Sequence, residues 1–165
     1  MKDAERNSLS NIMPKKKFKR EEWLEKPFET VEGIVEVWIH DPIYRINVHL
    51  ITNCAGDKSK QWMKRVMDIE DDAGHPKHLA GCCSEIKNKY DALFAIVISM
   101  PDKWNGDELE KVTLMHECYH VASYTLFSRG LKHTYETEEA FAYFHESLYR
   151  RFLDAMKLKV LKYKR

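Results

Sequence analysis

The residues best suited to chemistry are two histidines and a glutamate that form an H-E-x-x-H pattern, His116, Glu117 and His120. Positions i and i+4 of an α-helix project from one face, about one turn apart. Two imidazoles placed in this way can each give a ring nitrogen to one Zn²⁺ ion at about 2.0–2.1 Å. The carboxylate of Glu117 can then act as the general base for a zinc-bound water, whose pKa the metal lowers. Composition alone predicts roughly 0.04 such matches in a chain of this length, so the pattern favours a zinc site.

A catalytic zinc site needs a third protein ligand and one position left open for water. The candidates lie downstream, at the start of a predicted helix. Glu139 follows His120 after 18 intervening residues, and Glu138 follows it after 17. His133 and His145 are alternative ligands, and His145 lies on the same side of its helix as Glu138. Both carboxylates also have a purely structural explanation, because negative charge at a helix start complements the helix dipole.

These residues resemble the gluzincin branch of the zincin metallopeptidases, in which H-E-x-x-H is followed by a ligand glutamate on the next helix. The stretch Glu139-Ala140-Phe141-Ala142-Tyr143 is also similar to the E-x-x-A pattern of the small ImmA/IrrE-type metallopeptidases and of short zincin-like proteins in phages and prophages. Carried over by position, Glu139 matches the third ligand because Ala142 follows three residues later. Glu138 lacks an alanine at that offset and is the alternative.

The resemblance implies an α+β fold, a small zincin-like domain with an antiparallel or mixed sheet packed on the H-E-x-x-H helix and on a long C-terminal helix. It implies Zn²⁺ as the cofactor and a peptide or protein substrate whose peptide bonds are hydrolysed by the glutamate-activated water. It also implies that the peptide binds along an edge strand, for which the strand Leu93–Met100 or the segment just before it is the candidate.

One position departs from the gluzincin pattern. Many gluzincins carry an acidic residue four positions after the ligand glutamate, where this chain has Tyr143. Tyr143 and Tyr135 are therefore candidates for supporting a ligand or for binding the oxyanion, and Tyr124 and His133 are further candidates by their proximity in sequence.

Hydrophobic periodicity predicts the strands that support these side chains. Apolar residues alternate with polar ones over Val31–His40 and Tyr44–Leu50, and His40-Asp41-Pro42 between them is typical of a turn. This pattern predicts an antiparallel hairpin. The unbroken apolar run Leu93–Ile98 predicts a strand that is buried on both faces.

Three helices are predicted. Residues 58–70 have the apolar spacing of a short amphipathic helix. The H-E-x-x-H helix runs from about Glu108 to Ser128, with Asp107 as its N-cap and Glu110 where a capping box requires it. The last helix runs from about Glu138 to Leu161, with carboxylates at its start and cations at its end, as the helix dipole favours.

Length and composition predict one globular domain. The chain has 165 residues, of which 44% are hydrophobic and 32% charged. We assign residues 21–165 to a single zincin-like metallopeptidase domain and residues 1–20 to a flexible basic arm. No apolar stretch approaches the about 18 residues of a membrane span, and the N-terminus has no signal peptide. The expected location is the cytoplasm, and the resemblance adds phage or prophage origin.

The net charge of +1 conceals a segregation of charge along the chain. Residues 1–20 carry a net charge of +5 and residues 150–165 a net charge of +6, whereas residues 21–149 carry −10. The arm includes the run Lys15–Arg20, which suits a nucleic acid or another acidic partner, although a solvated tail is the simpler interpretation.

Two alternative functions stay open. The first is a zincin-fold binding module with a structural zinc and weak or no catalytic activity. The second is a DNA-associated protease similar to the SprT-like proteins, which would use the basic arm. Those proteins place the third ligand close to the second histidine, and no suitable residue follows His120 within a few positions.

The cysteines are predicted to be reduced thiols, since no secretory signal precedes them. His75 and His78 with Cys82 and Cys83 form a second group that could hold a structural metal. Adjacent cysteines suit one tetrahedral ion poorly, so a loop with two small buried thiols is the favoured interpretation. Cys118 lies within the H-E-x-x-H motif but points away from the ligand face, as a packing residue would.

Overall fold

The structure, a computed structural model, describes residues 24–30, 33–69, 79–88 and 90–162. The arm assigned to residues 1–20 lies outside the described residues, and so do His75 and His78. The elements follow in the order β1 (Phe28–Glu29), β2 (Val35–Asp41), β3 (Ile46–Thr52), α1 (Asp57–Val66), β4 (Cys82–Lys87), β5 (Leu93–Ser99), α2 (Glu108–Ser128), α3 (Glu138–Met156) and β6 (Leu161–Lys162).

The fold is α+β, with one mixed sheet in the strand order β4-β5-β3-β2-β1-β6. The predicted hairpin is confirmed, because β2 and β3 are antiparallel and Ile39 lies opposite Val48. β5 runs parallel to β3 on one side and antiparallel to β4 on the other. The strand Leu93–Met100 is therefore internal, and its prediction as an edge strand is wrong. The segment before it forms β4 and occupies that edge of the described sheet.

Apolar side chains fill both faces of this sheet. One cluster packs between the sheet and the helices α2 and α3, and it includes Ile96 and Ile98 of β5. A second cluster packs the opposite face against α1 around Trp62, and it includes Ala95 and Val97 of the same strand. The prediction that this strand is buried on both faces is confirmed.

Helix α2 begins and ends where the sequence predicts. The Asp107 carboxylate accepts a hydrogen bond from the Glu110 N–H at 2.9 Å. The Glu110 carboxylate in turn accepts from the N–H groups of Asn105 and Gly106, at 2.8 and 2.7 Å. The first of these bonds satisfies an N–H group that the first turn of a helix leaves without a partner, and the other two tie the preceding loop to that turn. These hydrogen bonds therefore fix the start of α2, the helix that carries the H-E-x-x-H motif.

Helix α3 is shorter than predicted. It ends at Met156 rather than at Leu161, which instead pairs with Phe28 in the strand β6. Residues 157–160 alternate polar and apolar side chains, a period that favours extended chain over a helix. Arg151 donates hydrogen bonds to the Glu25 carboxylate, before β1, and to the His40 carbonyl, which ties the helix to the hairpin.

The first predicted helix, over residues 58–70, is α1 and ends earlier, at Val66. No helix formed by the described residues is long and apolar enough to cross a membrane.

Candidate metal centre

The two motif histidines lie one turn apart on α2, and their rings converge. The Nε2 atoms of His116 and His120 are 3.0 Å apart, and the ring centroids are 4.7 Å apart. Two nitrogens that bind one tetrahedral zinc ion at about 2.0–2.1 Å lie about 3.3 Å from each other. The observed spacing is close to that value and also fits an N–H···N hydrogen bond between the rings. It therefore supports a shared metal ion without requiring one.

A cleft of about 500 Å³ opens beside the two rings. It lies between α2 and the start of β4. This strand, which the sequence does not predict, therefore forms one of its walls. The residues that line the cleft come from both segments: Leu79, Ala80, Gly81, Cys82, Cys83, Val112, Thr113, His116, Glu117, His120 and Tyr124. All three chemically important residues of the motif thus share one cavity.

Glu117 is held in a confined position in this cleft, with only 6% of its surface exposed. The backbone of Gly81 packs directly against it. A Cβ atom added to Gly81 would lie 3.0 Å from Glu117 Cγ, 3.1 Å from Glu117 Oε1 and 2.7 Å from Thr113 Cγ2. Real Cβ contacts are rarely this short, so any larger residue at position 81 would displace Glu117 or Thr113. The side chain of the predicted general base is therefore fixed by a close approach of two chain segments.

The thiols of Cys83 and Cys118, near the cleft, are neutral at pH 7. Burial raises the pKa of the Cys83 and Cys118 thiols, and the neighbouring Glu117 carboxylate raises it further. Cys118 is fully buried, as predicted for a packing residue. Cys82 and Cys83 lie in β4 rather than in a loop, and none of the four cysteines, all of which the structure describes, forms a disulfide. Of the second predicted metal-binding group, the structure describes only Cys82 and Cys83, because His75 and His78 lie outside the described residues.

A third ligand is not assembled with the two histidines. Among residues 24–30, 33–69, 79–88 and 90–162, no three His, Cys, Asp or Glu side chains are grouped so that they could hold one metal ion. Glu138 and Glu139 are both exposed in the first turn of α3. Glu138 precedes His145 by nearly two full turns and shares its side of α3, whereas Glu139 lies about 100° further around the helix. Glu139 as a ligand stays a prediction from the resemblance.

The two alternative histidine ligands have other contacts. His145 Nε2 lies 2.9 Å from the carbonyl oxygen of Met115, and its ring meets Tyr119 edge-on with the centroids 6.1 Å apart. His145 therefore ties α3 to α2 next to His116. His133 packs against the ring of Phe141, with the centroids 4.6 Å apart. Neither His145 nor His133 lines the cleft.

Among the candidate tyrosines, Tyr124 is the one that lines the cleft. Its ring stacks on His120 with the centroids 5.9 Å apart and the planes 19° from parallel. Burial, and to a lesser degree nearby acidic groups, raises the pKa of the Tyr124 phenol, which is therefore a hydrogen-bond donor at neutral pH. Tyr135 and Tyr143 are 85% and 68% exposed and do not line the cleft. The i+4 spacing of Tyr124 from His120 is the sequence signal that could have ranked it first.

Comparison with known proteins assigns no family: no family model matches the chain, and neither a curated protein nor a solved structure matches it. The chemistry of the cleft is therefore the main guide to function.

Proposed function

We propose that the chain is a zinc-dependent metallopeptidase with a zincin-like, gluzincin-type domain, and that it hydrolyses peptide bonds in a peptide or protein substrate. One observation carries the proposal: the Nε2 atoms of His116 and His120 converge to 3.0 Å in a cleft that the buried carboxylate of Glu117 also lines. Imidazole pairs are preferred zinc ligands, and a confined carboxylate beside them has the chemistry of a general base.

The donor set fits zinc in two of the three protein ligands that a catalytic site uses. His116 and His120 would hold the ion through Nε2, and the first turn of α3 is the proposed source of the third ligand. When bound, the ion supplies Lewis acidity and lowers the pKa of a coordinated water. Glu117 would accept the proton of the attacking water and deliver it to the leaving amine. The Tyr124 phenol can donate a hydrogen bond to the developing oxyanion.

The edge of the sheet offers a binding surface for the peptide. Within the part of the chain that the structure describes, β4 pairs with β5 and has no strand on its other side. An edge strand has unpaired backbone groups to which an extended peptide can add. Cys82 and Cys83 of β4 line the cleft, so a peptide that pairs along this strand would pass beside the two histidines.

A second candidate is a zincin-fold binding module with a structural zinc. No observation favours it over the peptidase, because a structural zinc site needs more protein ligands than a catalytic one and the described residues group no three potential ligands. The DNA-associated alternative depends on the basic arm at residues 1–20, which lies outside the described residues, and no observation favours it.

Metal content and turnover test the proposal together. We expect the purified chain to contain about one zinc ion, as a mononuclear site predicts, and His116→Ala to lose it. A chelator should abolish cleavage of a fluorogenic peptide library, and added Zn²⁺ should restore it. Leu158→Ala, at an exposed position outside the cleft, is the control. A chain that binds no zinc would overturn both candidates, whereas zinc without turnover would favour the binding module.

The close approach of Gly81 to Glu117 predicts that Gly81 positions the Glu117 side chain. We expect Gly81→Ala to lower kcat about tenfold, since a shift of about 1 Å in a reacting group can cost about a hundredfold. It should also lower the free energy of unfolding by about 1–3 kcal/mol, as overpacking does. Steady-state kinetics and thermal unfolding measure the two effects separately.

Thr113→Ser provides the control for this prediction, because it removes Cγ2, the atom closest to the added methyl group. The double variant should recover much of the stability but little of kcat, because the contacts with Glu117 remain. Wild-type kcat in Gly81→Ala would show that this contact does not position Glu117.

A further inference from the structure

A second cleft, of about 280 Å³, lies beyond the candidate metal centre, between the end of α2 and the strands β4 and β5. Tyr124 lines both clefts, so they adjoin at this residue. The lining of the second cleft includes Glu85, Lys87, Asp91, Tyr124, Phe127 and Arg129.

The two clefts follow the same edge of the sheet. Along β4, the first is lined by Cys82 and Cys83 and the second by Glu85 and Lys87. Along α2, the lining likewise moves from the motif to the last turn. His120 and Phe127 are seven residues apart on α2, about 10 Å along the helix axis. An extended peptide covers that distance in about three residues.

The second cleft is balanced in charge. Its lining includes two carboxylates and two cations, so it favours neither sign of a bound side chain. Lys87 Nζ lies 3.3 Å from Asp91 Oδ1. Nε and Nη2 of Arg129 donate to the Tyr44 carbonyl, at 3.0 and 2.8 Å. Most of this polar lining thus already has protein partners.

Its apolar lining, by contrast, includes an exposed aromatic ring. Phe127 is 50% exposed, and it lines the cleft together with Tyr124 and with Leu93, which is 5% exposed. Burying exposed aromatic surface is favourable, and aromatic rings add a further gain when they pack edge-to-face or offset. A large apolar side chain, and above all an aromatic one, is the ligand that this lining fits.

We infer that the second cleft is a specificity subsite, which binds an aromatic or large apolar side chain about three residues from the bond that is cut. The inference rests on the proposed peptidase function. It goes beyond that function because the subsite would select among peptides by a side chain that takes no part in the reaction.

Peptide binding to the Glu117→Gln chain tests the subsite without depending on turnover. The probes are fluorescent peptides that differ only at the third residue on either side of a central bond, with Phe, Leu, Ala, Asp or Lys there. We expect the Phe peptide to bind at least about tenfold more tightly than the Ala peptide on one side, the scale on which apolar pockets discriminate. Equal affinities for all five would overturn the inference.

Two variants locate the selectivity in this cleft. Phe127→Ala should remove the preference for Phe, but Phe127 also packs on Phe141 with the ring centroids 5.5 Å apart, so its fold must be checked. Ala92→Glu adds a charge from an exposed position on the rim and removes no core contact; it should weaken the Phe peptide and strengthen the Lys peptide. Leu158→Ala, an exposed residue outside both clefts, is the control. A Phe preference that survives both variants would place the subsite elsewhere and overturn the inference.

Turnover by the wild-type chain separates this inference from the proposed function. Selective binding without hydrolysis of any peptide would overturn the peptidase function and leave the subsite supported. Hydrolysis with no preference at the third residue would support the peptidase function and overturn the subsite.

Discussion

Glu117→Gln is expected to lower peptide hydrolysis by about 10²- to 10⁴-fold, the range that a positioned general base typically contributes, while zinc content stays at the wild-type level. The amide has nearly the same shape as the carboxylate but cannot take a proton from water. It also fits the same gap against Gly81, so the fold should be retained. Steady-state kinetics, metal analysis and thermal unfolding of the same preparation measure the three quantities.

Glu146→Gln is the matched control for this substitution. Glu146 lies on the surface of α3 with 53% of its side chain exposed, and its carboxylate lies 2.6 Å from Arg150 Nη2. A surface ion pair of this kind contributes little to stability, so this variant should keep both turnover and metal. Turnover at the wild-type rate in Glu117→Gln would remove the general-base role and with it the proposed mechanism.

The parts of this fold that the sequence predicts well depend on local signals. The capping interactions of Asp107 and Glu110 define where α2 begins, and the H-E-x-x-H spacing alone brings His116 and His120 to one face. The alternating pattern predicts the hairpin, and the unbroken run at Leu93 predicts the buried strand. Each of these signals involves residues only a few positions apart.

The parts that the sequence does not predict depend on contacts between distant segments. β4 has the sequence Cys82–Lys87, which neither alternates clearly nor forms an apolar run, and it is a strand because it pairs with β5. The contact between Gly81 and Glu117 joins residues 36 positions apart and has no local signature. The third ligand belongs to the same class, because its identity depends on how α3 packs against α2.

The other large effect is expected at the first turn of α3, where Glu139→Gln should weaken zinc binding more than Glu138→Gln does. The resemblance to small zincins assigns the ligand to Glu139, through Ala142 three residues later. Losing a residue that only supports a ligand typically costs about 10- to 100-fold in metal affinity, so losing a ligand itself should cost at least that much. Competition with a fluorescent chelator gives the two dissociation constants.

Glu136→Gln is the matched control, because it removes a third carboxylate from the same segment. Hydrogen bonding, chiefly from the Thr134 side chain, lowers the pKa of the Glu136 carboxyl, so this group already has a local partner. Its substitution should leave the zinc affinity unchanged. A loss of affinity in all three variants would instead indicate a general effect of negative charge near the site.

Which of the two substitutions, Glu138→Gln or Glu139→Gln, weakens zinc binding more also indicates how α3 is oriented towards the ion. Glu138 shares the side of α3 from which His145 contacts Met115, whereas Glu139 lies about 100° away. If Glu139 is the ligand, zinc binding must therefore reorient the first turn of α3, and hydrogen exchange over residues 131–141 should slow when zinc is added. A larger loss in Glu138→Gln, with no change in exchange there, would assign the ligand to Glu138. Unchanged affinity in both variants would contradict a ligand from α3.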